Sequence, residues 1–167
     1  MGTDIHVFME RKYNGRWVPV HPPEVKDPSD WEALGRYAEP LPPIEQLAHA
    51  VLPFEQRIPS VAEQWWVSRD YSLFTNLAGV RNYGDCTIFA EPKGLPDDVS
   101  EIVEEAIDGY HSLSHWALDE LESAVHMTDT SEGISARVRH LIAAMRQIAT
   151  DYNLADDQVR MVFGFDS

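Results

Sequence analysis

The stretch Thr3-Asp4-Ile5-His6-Val7-Phe8-Met9-Glu10 decides the fold. In an extended chain Ile5, Val7 and Met9 fall on one side, and Asp4, His6 and Phe8 on the other. That alternation reads as a half-buried strand. Asn14-Gly15 follows, a pair suited to a two-residue hairpin turn, because both central positions need a positive φ. Trp17-Val18-Pro19-Val20 is then the return strand, and Pro19, which has no N–H, assigns it to a sheet edge. At the far end, Val159-Arg160-Met161-Val162-Phe163-Gly164-Phe165 is apolar enough on both alternations to be a central strand. The order strand, strand, helices, strand predicts an α+β fold. Its small, mostly antiparallel sheet comes from the N-terminal hairpin and the C-terminal strand, the last strand returns beside the first, and several helices pack against it.

Between these ends the pattern changes period. Leu73, Phe74, Leu77 and Ala78 followed by Gly79 predict a short helix over 70–78 with a terminating glycine. Residues 87–90, Thr-Ile-Phe-Ala, read as a short strand. Residues 97–108 and 114–125 read as helices separated by Asp108-Gly109, with Pro96 opening the first and Asp97 or Asp98 capping it. Ile134, Val138, Leu141, Ile142, Met145, Ile148 and Ala149 form one apolar stripe and predict the longest helix, over 132–152. Residues 21–60 are rich in proline and predict a surface excursion packed down by Trp31, Tyr37 and Phe54. Residues 1–167 are expected to form a single domain carrying that excursion.

Charge limits the classes of partner. The chain has 28 acidic against 13 basic residues, a net charge of −15, which disfavours nucleic acid and anionic membranes. Cys86 is the lone cysteine, so an intrachain disulfide and a cysteine-rich zinc module are excluded. No segment has the length and hydropathy of a signal sequence or a membrane span, so a cytoplasmic, soluble protein is expected. No lysine or arginine lies between Lys93 and Arg137, a stretch holding 11 carboxylates. It reads as a solvated acidic face, or as a surface that mimics nucleic acid or docks on a basic partner.

Several polar groups carry chemistry in their spacing. Asp4 and His6 are two apart on a strand and share a face, where a carboxylate can orient an imidazole as a general base or the pair can ligate a metal. His111-Ser112 lies before the helix expected near Ser114, where unbonded N–H groups favour anions; the plain alternative is a capping segment. Arg81-Asn82 follows the glycine-ended helix, and an arginine there can fork onto a phosphate or carboxylate. Glu91 and Lys93 flank a rigid proline turn and add an acid and a cation. Adjacent Trp65 and Trp66 are expected to place one ring in the core and one at the rim, and Cys86 is expected to be a small buried hydrophobe. No phosphate-cradling glycine loop, dinucleotide fingerprint, zincin motif or nucleophile elbow is present.

Met1-Gly-Thr-Asp-Ile-His6, Arg69-Asp-Tyr-Ser-Leu-Phe74, Leu77-Ala-Gly-Val-Arg-Asn82, Glu91-Pro-Lys-Gly-Leu-Pro-Asp-Asp98, His111-Ser112 with Trp116, and the terminal Val159–Phe163 with Phe165-Asp166 together resemble a widespread family of small tailed-phage proteins that begin M-G-[TC]-D-I-H. The resemblance implies a viral accessory protein working in the host bacterial cytoplasm, in host takeover or anti-defence. It also implies that Asp4, His6, Arg81, Asn82, Glu91 and His111 belong to one site. Lys93 stands where many relatives carry arginine, and lysine cannot reproduce a bidentate fork.

Three functions fit these residues. The first is a site for a small phosphorylated, nucleotide-like ligand, with hydrolysis of its phosphoester. Asp4, His6, Glu91 and His111 would be the catalytic set, Arg81, Asn82, Lys93 and Ser112 the ligand-binding set, and a divalent cation a candidate cofactor. The second is non-catalytic sequestration of a small host signal by the same residues. The third is an acidic inhibitor that binds a host protein through its helices.

Overall fold

The computed structural model describes residues 2–22, 58–128 and 132–166. The opening alternation forms strand β1 (Ile5–Tyr13) and the return strand is β2 (Arg16–Val20). The turn between them holds Asn14 at φ 49° and Gly15 at φ 76°, as a two-residue hairpin of this kind requires. β3 spans His111–Ala117 and β4 spans Val159–Phe165. All neighbours are antiparallel and the order is β2-β1-β4-β3. The fold is therefore α+β, with the last strand beside the first and β2, with its Pro19, at an edge.

The helices are α1 (Tyr71–Ala78), α2 (Glu101–Ala106), α3 (Leu118–His126) and α4 (Ala136–Asp151). Asp70 caps α1 by accepting from the Leu73 N–H, and Gly79 ends it at φ 66°. Ser100, not Asp97 or Asp98, caps α2, which starts later than expected. Ser135 caps α4.

Three further expectations need correction. Residues 111–117 form strand β3 and not the opening of a helix. Ser114 and Trp116 point inward from it, and the small Ser114 hydroxyl accepts the backbone N–H of Lys93. The apolar spacing that suggests a helix from Ser114 runs across the junction of β3 with α3. The segment 87–90 lies outside the sheet and is held by the Thr87 N–H to Gly133 O and the Phe89 N–H to Asn76 O. Trp65 is fully buried and Trp66 half-buried, as expected, while Cys86 is partly exposed and not buried. Most of the 21–60 excursion, with Trp31, Tyr37 and Phe54, lies outside the described residues. Among the described residues no helix is long and apolar enough to cross a membrane.

The β1 alternation divides the molecule into two layers. Ile5, Val7 and Met9 join Val159, Met161, Phe163 and Phe165 of β4 in the main core, under α1, α3 and α4. Each such side chain contributes about 1.5–3 kcal/mol by leaving water. Phe8 and Val162 face the other way and meet Val103 and Ile107 of α2 in a smaller cluster. On that second face a buried ion pair sits between sheet and helix. Glu10 is 0% and Arg160 5% exposed. The Arg160 Nε donates to Glu10 Oε2 at 2.7 Å, and its Nη1 donates to Asp98 Oδ1 at 2.7 Å. The other Glu10 oxygen accepts the Ser100 N–H, and the guanidinium lies 3.9 Å from the Trp17 ring centre. Every oxygen and the charge are thereby satisfied, which a buried pair requires.

Candidate functional site

Antiparallel pairing of β1 and β4 sets Ile5 opposite Phe165 and so brings Asp4 opposite Asp166. The two backbones clasp: the Asp4 N–H donates to Asp166 Oδ1 at 2.7 Å, and the Asp166 N–H donates to Asp4 O at 3.1 Å. Asp166 Oδ2 lies 3.0 Å from His6 Nε2, while His6 Nδ1 lies 2.9 Å from the Gln64 side-chain oxygen. Asp4 is gripped from outside by Arg69, whose Nε and Nη2 each donate to one carboxylate oxygen at 2.8 Å.

These contacts fix the charges. Bonding first to the Asp4 N–H and then to His6 holds the Asp166 carboxyl below the usual carboxylate range, against the opposing effect of burial. The Asp4 carboxylate, by hydrogen bond and charge, raises Arg69 above its already high value. Both ring nitrogens of His6 are occupied, and its ring stacks on Tyr110 with centres 4.1 Å apart and planes 6° from parallel. The stack exists because Gly164 is the cross-strand partner of His6: a Cβ there would lie 2.9 Å from Tyr110 Cβ and 2.7 Å from Leu113 Cδ2.

His111 arrives at the same end of the sheet by a different device. The β3–β4 register slips between His111 and Ser114, and Ser112 adopts φ 50°. Such a bulge re-aims a side chain. His111 Nε2 lies 3.2 Å from the Asp166 carbonyl, which only accepts, so Nε2 carries the proton; Nδ1 lies 3.0 Å from the Ser112 hydroxyl.

Arg81 approaches from α1. Its backbone sits at φ 56°, and its Nε donates to the buried Thr3 hydroxyl at 2.8 Å. Among the described residues its terminal amino groups carry no hydrogen bond. Glu91 lies at the foot of the same helix, where a side chain on Gly79 would meet its carboxylate at 3.3 Å. Asn82 turns its amide oxygen onto the Gly84 N–H at 2.9 Å.

Asp4, His6 and His111 are thus joined through Asp166. Arg81 reaches the same end through Thr3, with Glu91 at the end of its helix. Ser112 shapes the bulge, and Asn82 shapes the bend after Arg81. Lys93 belongs elsewhere: its Nζ is 3.3 Å from Glu120 and 4.0 Å from the Trp116 ring centre, beside a separate cleft. Sequence reasoning misses Asp166, Arg69, Gln64, Tyr110 and Thr3. The signal for Asp166 is its position directly after the strand that pairs with β1. Arg69 and Gln64 carry no such signal.

The acidic stretch is divided. α2 carries Glu101, Glu104 and Glu105 on one face of the sheet, and α3 carries Asp119, Glu120 and Glu122 on the other. Among the described residues no group of three His, Cys, Asp or Glu side chains is placed to hold a metal ion. No family model, curated protein or solved structure matches the chain.

Proposed function

We propose that the end of the sheet built by Asp4, His6, His111 and Asp166 is a binding site for a small phosphorylated, nucleotide-like ligand, with Arg81 as its anion contact. The observation that carries this reading is the state of Arg81. A non-glycine residue held at positive φ is strained, and such strain persists where the surroundings enforce it, commonly at binding sites. Here the strain aims a guanidinium that is anchored by one nitrogen on Thr3 and has two amino groups to offer a phosphate. Tyr83, 72% exposed and 6.1 Å from Tyr71 by ring centres, adds a flat surface for a base on the same loop.

Sequestration is the reading favoured over hydrolysis. His6 and His111 each have both nitrogens engaged, so neither is free to take a proton from a nucleophile without breaking a bond. Hydrolysis remains the second reading because the Asp166–His6 pair is the arrangement in which a carboxylate orients an imidazole. A divalent cation would then take part of its ligands from the phosphates. The tailed-phage setting, the host cytoplasm and the anti-defence role rest on the sequence resemblance.

The test is titration of cyclic and linear nucleotides by calorimetry, with and without Mg²⁺, followed by chromatography of the nucleotide. Binding with intact nucleotide supports sequestration, and turnover supports the second reading. The Arg81→Gly variant suits the backbone at φ 56° and so keeps the fold. Binding that survives in Arg81→Gly, or no binding by any nucleotide, sinks the proposal.

A further inference from the structure

The segment 87–90 has strand-forming residues but no place in the sheet. Its amides alternate in use. Thr87 and Phe89 donate inward to Gly133 and Asn76, while Ile88 and Ala90 make no backbone hydrogen bond among the described residues. Unbonded amides at alternate positions are the signature of an open strand edge, which a further strand can satisfy.

Beside that edge lies a cleft of about 550 Å³. Its apolar lining is Ile88, Phe89, Trp116, Ala124 and Met127, and its charged rim holds Asp119, Glu120 and Lys93. Lys93 is already engaged with Glu120 and the Trp116 ring, so the rim presents net negative charge. Met127 is 82% exposed at the mouth. Among the described residues an edge without a partner, an apolar floor and an acidic rim occur together at one place.

We propose that this face docks an extended peptide segment of a partner protein, added as a strand along Ile88–Ala90. The segment carries an apolar residue and, two positions on, a lysine or arginine. Two residues so spaced point to one side of a strand, so the apolar one enters the cleft while the basic one meets Asp119, the rim carboxylate that carries no ion pair among the described residues. Main-chain bonds supply the docking and the charge pairing supplies the choice of partner. The site shares no residue with the sheet-end cluster, since Lys93 lies at this cleft and away from that cluster, so either proposal can fail alone.

The test uses the ¹⁵N-labelled full chain and three probes: acetyl-Thr-Val-Thr-Lys-Thr-amide, whose valine and lysine two positions on share one side of a strand, its counterpart with glutamate for lysine, and its backbone N-methylated form. The expected result is that the first probe alone shifts the amide resonances of Ile88 and Ala90 and slows their hydrogen exchange. Met127→Ser, at an exposed position, weakens that binding about tenfold through lost apolar burial. Equal binding by the glutamate or N-methylated probe overturns the proposal, as does no shift at Ile88. So does protection of both amides in the free protein: constant protection assigns the edge to the chain's own segments, and protection rising with protein concentration assigns it to a second copy.

Discussion

Replacing Arg160 by methionine tests whether the second face is locked by charge. Arg160 and Glu10 are 5% and 0% exposed, and their 2.7 Å contact lies between β1, β4 and α2. Arg160→Met keeps much of the side-chain volume but strands the Glu10 carboxylate, leaving it the Ser100 N–H as its remaining bond. Removing one partner of a buried pair costs about 3–5 kcal/mol, a large part of the roughly 5–15 kcal/mol that holds a domain together. Removing both is milder, because no buried charge is left over. Glu10→Met/Arg160→Met loses the Ser100 contact and the stacking on Trp17, each worth about 1 kcal/mol, while the exposed Asp98 stays solvated. The double variant therefore recovers part of the single variant's loss. Urea unfolding followed by circular dichroism, with linear extrapolation, measures all three proteins. A single variant that loses less than about 1 kcal/mol, or a double variant less stable than either single, would refute the argument that the pair is desolvated.

The acid limb of stability is set in part by Asp166 and Asp98, both held below the usual carboxylate range. A carboxyl with a depressed folded-state pKa contributes stability above its unfolded value of about 3.9 and loses it as pH falls through the folded value. Stability is expected to decline below about pH 4, and the decline should be shallower in Asp166→Asn; identical acid unfolding curves would contradict this. Gly164→Ala forces Tyr110 and Leu113 off β4, with an expected loss of about 1–3 kcal/mol and a change in the His6 ring resonances as the stack opens; unchanged His6 resonances would count against the close-approach role of that glycine.

What the sequence makes legible is what its local chemistry dictates. The Ile5-Val7-Met9 alternation, Asn14-Gly15, Asp70 with Gly79 and the stripe on α4 each carry their cause within a few residues. β3 is illegible because its core contacts are a serine and a tryptophan that run on, in sequence, into the apolar positions of α3. Segment 87–90 has the residues of a strand, but its amides are met by Gly133 and by Asn76, not by a partner strand. At the sheet end, Asp4 and His6 are visible as a pair, yet the group that joins them lies 160 positions away from His6. Arg69 is equally hidden, since an arginine in so acidic a chain has many carboxylates to choose from, and only the folded backbone selects Asp4.

The central place of β4 has a consequence for how the protein is made. β1 emerges from the ribosome with β2 on one side and nothing lasting on the other, and waits until β4 follows, since Ile5 pairs with Phe165. A nascent chain in that interval carries a hairpin with an apolar face and a bare flank, which other strands can seize. Assembly of the sheet is therefore delayed until nearly all the described chain has been synthesised, and premature release or slow elongation before β4 would favour clumping over folding.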